Sequence, residues 1–132
     1  MSFKIDIITP NGLYKSVDAS SLTIKTCSGY RTILEGHTAL IAALDYGKAT
    51  INIDGKEKYF AIHGGAMNIK NDGVVLLLNS IEEKDEIDIE RANKALERAK
   101  ERIENKDDPN LDIKRAELAL KRALARIDTF NS

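Results

Sequence analysis

The first two thirds of the chain alternate between apolar and polar residues. Phe3, Ile5 and Ile7 are separated by polar residues, and Leu22 and Ile24 repeat the pattern further on. Successive side chains of a strand point to opposite faces of a sheet, so this alternation predicts strands with one buried face. Several short strands separated by glycine-rich turns favour an antiparallel β-sandwich or barrel.

Asp72-Gly73 has the composition of a two-residue hairpin turn, because glycine readily adopts the positive φ that such turns require. A turn centred on this pair would place Ile69 opposite Leu76. The next inward pair would be Met67 and Leu78, so apolar residues would meet on one face.

Asp54-Gly55-Lys56 is predicted to form a three-residue hairpin loop. This loop would set Ile51 opposite Tyr59 and Ala49 opposite Ala61. A two-residue turn would instead set an apolar residue opposite a lysine, and we therefore prefer the longer loop.

Two segments, 59–62 and 74–78, are apolar at consecutive positions. Such runs are typical of strands that are covered on both faces. Each can be a central strand of the domain or part of an interface with another protein, and both interpretations remain open.

The pattern changes to a helical one after Ser80. Residues 81–86 form a charged segment, and from Asp88 onward glycine is absent and helix-forming residues dominate. Two apolar stripes with helical spacing follow: Ile89, Ala92, Leu96, Ala99 and Ile103, then Ile113, Ala116, Leu120, Ala123 and Ile127.

The segment between the two stripes is short, so the helices should form an antiparallel hairpin. Pro109 suits the first position of the second helix, with Asp108 as its N-cap, and Lys106 lies off both helix faces. We expect an N-terminal antiparallel β-sandwich over residues 1–81, a connector over 82–87 and a helical hairpin over 88–132.

The two helices resemble each other when shifted by 24 positions, so that Asp88 falls on Asp112 and Arg91 on Arg115. Either a duplication or the limited composition of amphipathic helices explains this likeness. The alanines in both stripes bury little apolar area, which predicts a weakly held helix pair that can open.

Composition excludes several classes of function. The net charge is -1 and aromatic residues make up 5% of the chain without tryptophan, which argues against a nucleic-acid-binding surface. Cys27 is the only cysteine, so an intrachain disulfide is impossible and a reducing compartment is expected. We find no signal peptide and no apolar stretch of the ~20 residues needed to span a bilayer.

Arginine is concentrated in the helical part, which is the clearest sign of binding chemistry. Six of the seven arginines lie there: Arg91, Arg98, Arg102, Arg115, Arg122 and Arg126, with only Arg31 outside. The planar guanidinium group binds phosphates and carboxylates through two parallel hydrogen bonds. The arginines can converge on one anion, or they can form solvated ion pairs with residues such as Glu90 and Glu101.

Motifs of catalysis are missing from the sequence. There is no glycine-rich phosphate loop, and neither His37 nor His63 has cysteine or histidine partners at a metal-binding spacing. Cys27 has no histidine nearby in sequence, so an unreactive thiol is expected. We predict a protein that is not an enzyme and has no catalytic residues and no metal.

Four motifs in sequence order resemble the epsilon subunit of bacterial F-type ATP synthases. They are Gly36-His37-Thr38-Ala39-Leu40, His63-Gly64-Gly65, Ile87-Asp88-Ile89-Glu90-Arg91-Ala92 and the run from Lys114 to Ala123. Each is weak alone, but their order and the chain length make the resemblance specific across nearly the whole chain.

This resemblance implies a non-catalytic subunit of the central stalk, active in ATP synthesis and ion transport. It implies contacts with the gamma subunit and the c-ring through the sandwich, and with the alpha and beta subunits through an extended hairpin that restrains ATP hydrolysis. The location would be peripheral, on the cytoplasmic face of the cell membrane. The alternative is a free-standing adaptor that binds a partner helix through the hairpin.

The resemblance also implies a regulatory ATP site on the folded hairpin, as in some members of the family; no other cofactor is required. The motif residues are Ile87, Asp88, Arg91 and Ala92, and by position Glu82, Arg98, Arg122 and Arg126 would complete the site.

One segment departs from the family pattern. Thr32 to Glu35 stands where members usually carry Gly-Ile-Leu-Pro, Ala39 replaces a usual proline, and Arg31 follows Tyr30 where an acidic residue is common. In the family this segment faces the c-ring, so the expected contact residues for the c-ring or gamma subunit are Tyr30, Arg31, Glu35 and His37.

Overall fold

The fold consists of eight strands followed by two helices, in a computed structural model that describes residues 1–105 and 107–132. Lys106 lies outside the described residues. The strands are β1 (Phe3–Thr9), β2 (Gly12–Ala19), β3 (Ser21–Thr26), β4 (Gly29–Leu34), β5 (Leu40–Ile53), β6 (Lys56–Lys70), β7 (Gly73–Leu78) and β8 (Ile81–Glu83). A short 3-10 helix, Lys84–Glu86, leads to α1 (Ile89–Glu104) and α2 (Ile113–Phe130). The predicted sandwich followed by a helical hairpin is confirmed.

Hydrogen bonds link the strands in the order β2-β1-β7-β6-β5-β3-β4, with β8 paired to β6. Neighbours pair antiparallel except β1 and β7, which run parallel. Five strands, β2 to β6, lie between β1 and β7 in sequence, which provides the long connection that parallel neighbours require.

The long strands β5 and β6 belong to both layers of the sandwich. In the first layer, residues 40–44 of β5 pair with 65–69 of β6, and β6 continues to β7, β1 and β2. In the second layer, residues 46–53 of β5 pair with 56–63 of β6, β5 continues to β3 and β4, and β6 pairs with β8. The inward-facing positions of β6 change from Phe60 and Ile62 to Met67 and Ile69, so the alternation shifts by one residue between them.

Gly64 and Gly65 allow this change in β6, with φ values of 82° and 146°. A Cβ atom on Gly65 would lie 2.0 Å from the Leu77 carbonyl oxygen, so only glycine fits here. The core between the layers is apolar, and Ile5, Ile7 and Leu22 are completely buried, as the alternation predicts.

The predicted loop at Asp54-Gly55-Lys56 is wrong. Ile53 pairs with Lys56, so Asp54 and Gly55 alone form a two-residue turn. Their φ values are 53° and 79°, and two positive values match a tight turn that follows the twist of the strands. The local turn geometry therefore outweighs the mismatch of Ile51 with Lys58, whose side chain is exposed.

The predicted register at Asp72-Gly73 is also wrong. Lys70 pairs with Gly73, and the turn residues are Asn71 and Asp72. Met67 consequently lies opposite Leu76 rather than Leu78. A shift of two positions keeps every side chain on its own face, which explains why the apolar pattern alone could not distinguish the two registers.

The second helix begins at Ile113 and not at Pro109. Its N-cap is Asp112, whose carboxylate accepts a hydrogen bond from the Arg115 amide at 3.1 Å. The expected cap, Asp108, instead accepts from the Asn110 amide within the connecting turn. Asp88 caps α1 in the same way as Asp112 caps α2, at the equivalent position of the shifted repeat.

The two helices pack through small residues. The buried positions at their contact are Ala92, Ala99, Ala116 and Ala123, as the stripes predict, whereas Ile113 is 40% exposed. Within residues 1–105 and 107–132, neither helix is long and apolar enough to cross a membrane. The same residues contain no cluster of side chains suited to hold a metal ion.

Candidate functional site

The hairpin rests on the outer face of the second layer through α2. This helix packs against β5, β6 and the short 3-10 helix. Ala125 and Thr129 are buried although they lie off the contact with α1, because they face the sheet. Beneath them, Ala61 and His63 of β6 are also buried. The run at 59–62 therefore belongs to a central strand whose second face is covered by the chain's own hairpin.

Glu82 connects the sheet to α2. Its Oε1 atom accepts a hydrogen bond from Arg126 Nε at 2.6 Å and another from His63 Nε2 at 3.2 Å. The three residues come from β8, α2 and β6, so one carboxylate oxygen ties together three elements that are far apart in sequence. We refer to His63, Glu82 and Arg126 as the carboxylate latch.

The surroundings of the latch lower the pKa values of both Glu82 and His63. Burial raises the pKa of Glu82, but the hydrogen bonds and charges of Arg126 and His63 outweigh burial and hold the pKa below its ordinary value. Burial lowers the pKa of His63; the hydrogen bond to Glu82 opposes this, and the charges of Arg126 and Arg122 reinforce it. Glu82 is therefore ionised at neutral pH, and His63 is neutral.

A cleft of about 400 Å³ lies beside the latch, between the start of α1 and the end of α2. Six of the eight predicted ATP-site residues line it: Glu82, Asp88, Arg91, Ala92, Arg98 and Arg126. Ile87 is buried next to the cleft in sequence but is not part of its lining, and Arg122 lies over the Tyr46 ring at 6.0 Å.

Two arginines of this cleft have no carboxylate partner among the described residues. Within the described part of the chain, neither Arg91 nor Arg98 forms an ion pair, and Arg98 Nε donates only to the Lys94 carbonyl. Glu90 and Glu101, which lie in α1, likewise form no ion pair with an arginine among the described residues. Unpaired guanidinium groups on one wall of a cleft can bind a phosphate or carboxylate.

The carboxylates of the cleft are already engaged. Asp88 caps α1, Glu82 belongs to the latch, and Glu86 accepts hydrogen bonds from the Glu83 amide and the Tyr14 hydroxyl. An anion in the cleft would therefore meet arginines whose charge is only partly compensated nearby.

The residues expected to contact the c-ring or gamma subunit fall into two places. Tyr30 and Arg31 begin β4 and are exposed; Tyr30 borders a hollow together with Lys48 and Asp128. Glu35 and His37 follow the other end of β4 and line a separate cavity of about 270 Å³. Tyr30 and Arg31 therefore lie at one place and Glu35 and His37 at another, so the four residues do not form one site.

An apolar row crosses the outer face of the first layer, opposite the hairpin. The pairing of five neighbouring strands aligns Ala43, Ala66, Leu77, Ile8 and Leu13. Leu77 is 49% exposed and Leu13 65%, and Ile41 beside the row is 76% exposed. This exposed row is the second surface, besides the cleft, that is suited to binding.

Sequence analysis missed several residues of this site. The rings of Tyr46 and His63 pack at 5.7 Å between centroids with their planes tilted by 58°, and Ala125 and Thr129 form the sheet-facing side of α2. The sequence places His63 in a family motif and excludes a metal partner for it, but gives no sign of its contacts, since Glu82 and Arg126 are remote in sequence. Ala125 and Thr129 are small residues four positions apart, and this helical spacing is the sequence signal that could have predicted the sheet-facing side of α2.

These features define a two-part protein in which a helical hairpin rests on a β-sandwich. Residues 2–84 match the model for the beta-sandwich domain of the ATP synthase delta/epsilon chain, and residues 85–131 match that for its long alpha-helix domain. The chain therefore belongs to the ATP synthase delta/epsilon chain family. The resemblance drawn from its motifs is confirmed, and the chain is a subunit of an ATP synthase.

Relatives with curated names support this assignment. The ATP synthase epsilon chain of Staphylococcus haemolyticus is 36% identical over 108 residues, which cover 81% of either chain. The ATP synthase epsilon chain of Carboxydothermus hydrogenoformans is 38% identical over 100 residues, which cover 76% of this chain and 75% of the relative.

Solved structures share the fold. A chain of the Euglena gracilis mitochondrial ATP synthase superposes with a TM-score of 0.81 at 24% identity, covering 91% of this chain and 76% of that one. A chain of the Tetrahymena thermophila mitochondrial ATP synthase, solved as central stalk and c-ring, gives a TM-score of 0.63 at 18% identity over 99% of this chain and 95% of that one.

Proposed function

We propose that this chain is a non-catalytic rotor subunit of the central stalk, which couples the catalytic head of an F-type ATP synthase to its c-ring. Its hairpin restrains ATP hydrolysis, and ATP binding favours the docked hairpin. It acts at the cytoplasmic face of the cell membrane, held there by its partners. The observation that carries this proposal is the docked α2 beside a cleft in which Arg91 and Arg98 form no ion pair with any described residue.

The apolar row is the surface that we assign to the gamma subunit. It offers exposed leucine and isoleucine side chains on a rigid sheet, and apolar patches of this kind on a sheet face are typical of protein interfaces. The cavity at Glu35 and His37 is assigned to the c-ring, because it lies at the other end of β4 from the hairpin-side hollow. The family membership favours these partners over a free-standing adaptor.

The docked hairpin is suited to regulation because its attachment is small. The contact with the sheet includes the small residues Ala125 and Thr129 and the carboxylate latch. It also includes a hydrogen bond from Lys48 to the Ser132 hydroxyl at 2.8 Å, Arg122 over the Tyr46 ring, and a marginal ion pair between Lys121 and Asp45 at 4.0 Å. Small side chains bury little apolar area, so only a modest free energy holds the hairpin in place. A released hairpin can then reach the alpha and beta subunits.

ATP would favour the docked hairpin by bridging both helices. Arg91 and Arg98 come from α1 and Arg126 from α2, and their shared cleft forms only while the hairpin is folded. A ligand stabilises the state that it binds by about 2.7 kcal/mol at a hundredfold excess over its Kd. That amount reverses a bias of one to two kcal/mol toward release.

Calorimetric titration of the full chain with ATP tests the cleft. Arg91→Ala and Arg126→Ala each remove a charge-assisted contact, so ATP affinity should fall by about 1.5–3 kcal/mol, or roughly tenfold or more. Arg115→Ala is the matched control, because Arg115 stands at the equivalent position of α2 but lines a different hollow at the other end of the hairpin. Equal affinities in all the variants would exclude this site.

Removal of the hairpin tests the regulatory role in the assembled complex. A chain ending at Ile87 retains every strand, so it should still bind the gamma subunit, while ATP hydrolysis by the complex rises. Loss of assembly, or unchanged hydrolysis in an assembled complex, would contradict the proposal. ATP hydrolysis by the isolated full chain, which we do not expect, would contradict the non-catalytic assignment.

A further inference from the structure

His63 occupies an unusual position in the carboxylate latch. Its side chain is 3% exposed, and its Nδ1 atom finds no hydrogen-bond partner among the described residues. A buried histidine is commonly held by partners at both nitrogens, because an unsatisfied polar atom is costly to bury. Among the described residues, the His63 side chain has one hydrogen-bond partner, Glu82. The same oxygen of Glu82 also accepts a hydrogen bond from Arg126 of α2, the helix that docks on the sheet.

Among residues 1–105 and 107–132, the charged groups that act on His63 belong to the latch or to α2. Glu82 approaches from β8, while Arg122 and Arg126 approach from α2. The Tyr46 ring of β5 covers the imidazole at 5.7 Å between centroids, and the Asn79 amide donates to the His63 carbonyl. The nearest positive charges are therefore on the helix that docks, and the negative charge stays with the sheet.

We propose that His63 controls docking of the hairpin as a proton-sensitive positioning residue, which holds Glu82 for Arg126 only while its imidazole is neutral. The neutral ring donates its Nε2 hydrogen to Glu82 and orients the carboxylate toward α2. A proton on Nδ1 places a positive charge beneath Arg122 and Arg126. The charged ring then competes with Arg126 for the same carboxylate oxygen, and α2 is repelled from the sheet.

The direction of the pH dependence follows from linkage. In the docked chain, burial first and then the charges of Arg126 and Arg122 lower the pKa of the His63 imidazole. We expect the pKa to be higher in the released state, where α2 supplies neither the cover nor the two charges. Docking is therefore strongest above the pKa of the released state, weakens as the pH falls, and reaches its lower limit below the pKa of the docked state. A pKa difference of one unit changes the docking equilibrium up to about tenfold across this window.

Nuclear magnetic resonance of the full chain, with nitrogen-15 in the histidine rings, measures the coupling directly. Arg126→Gln removes the neighbouring charge, so the pKa of His63 should rise above that of the wild type. Arg115→Gln is the matched control at the far end of α2 and should leave His63 unchanged. An unchanged pKa of His63 in Arg126→Gln would overturn the proposal, and the signal of His37 reports any effect unrelated to the latch.

Amide hydrogen exchange measures docking itself. Protection factors in α2, which already correct for the intrinsic pH dependence of exchange, should fall about threefold to tenfold between about pH 7.5 and about pH 5.5. His63→Gln supplies an amide donor that does not titrate, so protection should be kept and its pH dependence lost. Equal pH dependence in wild type and His63→Gln would also overturn the proposal. The inference needs only the docked hairpin, so it can be tested whether or not the chain binds ATP.

Discussion

Gly65 is the residue whose replacement the backbone tolerates least. It lies where β6 passes from one layer to the other, and an added Cβ would lie 2.0 Å from a carbonyl oxygen of β7. Gly65→Ala should therefore lower the free energy of unfolding by more than about 2 kcal/mol, through steric overlap added to backbone strain. Urea denaturation of the full chain measures this loss.

Gly36→Ala is the control for backbone strain alone. Gly36 has a φ of 79°, but nothing lies within 4 Å of an added Cβ. The expected loss is about 1 kcal/mol. A loss as large as that of Gly65→Ala would show that the close approach of β7 is unimportant.

Single residues of the cleft differ in how far sequence could predict them. The family resemblance implied Arg91, Arg98 and Arg126 as site residues, whereas the concentration of arginine and the helical spacing alone left an anion site and solvated ion pairs both open. The role of His63 could not be predicted from spacing, since Glu82 and Arg126 reach it only through the pairing of β8 with β6 and the docking of α2. Contacts between remote elements leave no periodic signal.

At the scale of elements, the capping residues of the hairpin are equivalent under the shifted repeat. Asp112→Ala removes the hydrogen bond to the Arg115 amide, so α2 should lose about 1 kcal/mol of local stability. Amide exchange in the first turn of α2 should then be about fivefold faster. Asp108→Ala, which removes only a hydrogen bond within the connecting turn, should change this exchange much less. The reverse order would restore Asp108 as the cap.

Apolar patterning predicted the faces of the strands but not their registers. Met67 and Ile69 face the core as expected, yet the turn between β6 and β7 is displaced by one residue, which shifts the register of the two strands by two. Burial distinguishes only odd from even positions, whereas the register depends on the backbone angles of the turn. In α2 the apolar stripe was predicted correctly, but the start of the helix was not. The helix begins after its N-cap Asp112 and not at Pro109.

At the scale of the whole molecule, the sheet domain should fold without the hairpin. A chain ending at Ile87 keeps β8 and the apolar core, so cooperative unfolding with a β-type circular dichroism spectrum should remain. A chain ending at Ser80 also loses β8, which exposes the edge of β6 at Phe60–Ile62, and its urea midpoint should be lower. An unfolded 1–87 chain at room temperature would contradict this division of the molecule.

The two strands shared between the layers have a mechanical consequence. A load applied at the apolar row and resisted at the hairpin face would tend to slide one layer over the other. In most sandwiches such shear is opposed by side-chain packing, but here β5 and β6 continue from one layer into the other as covalent chain. In the rotor role proposed above, torque would therefore pass through the domain along the backbone itself.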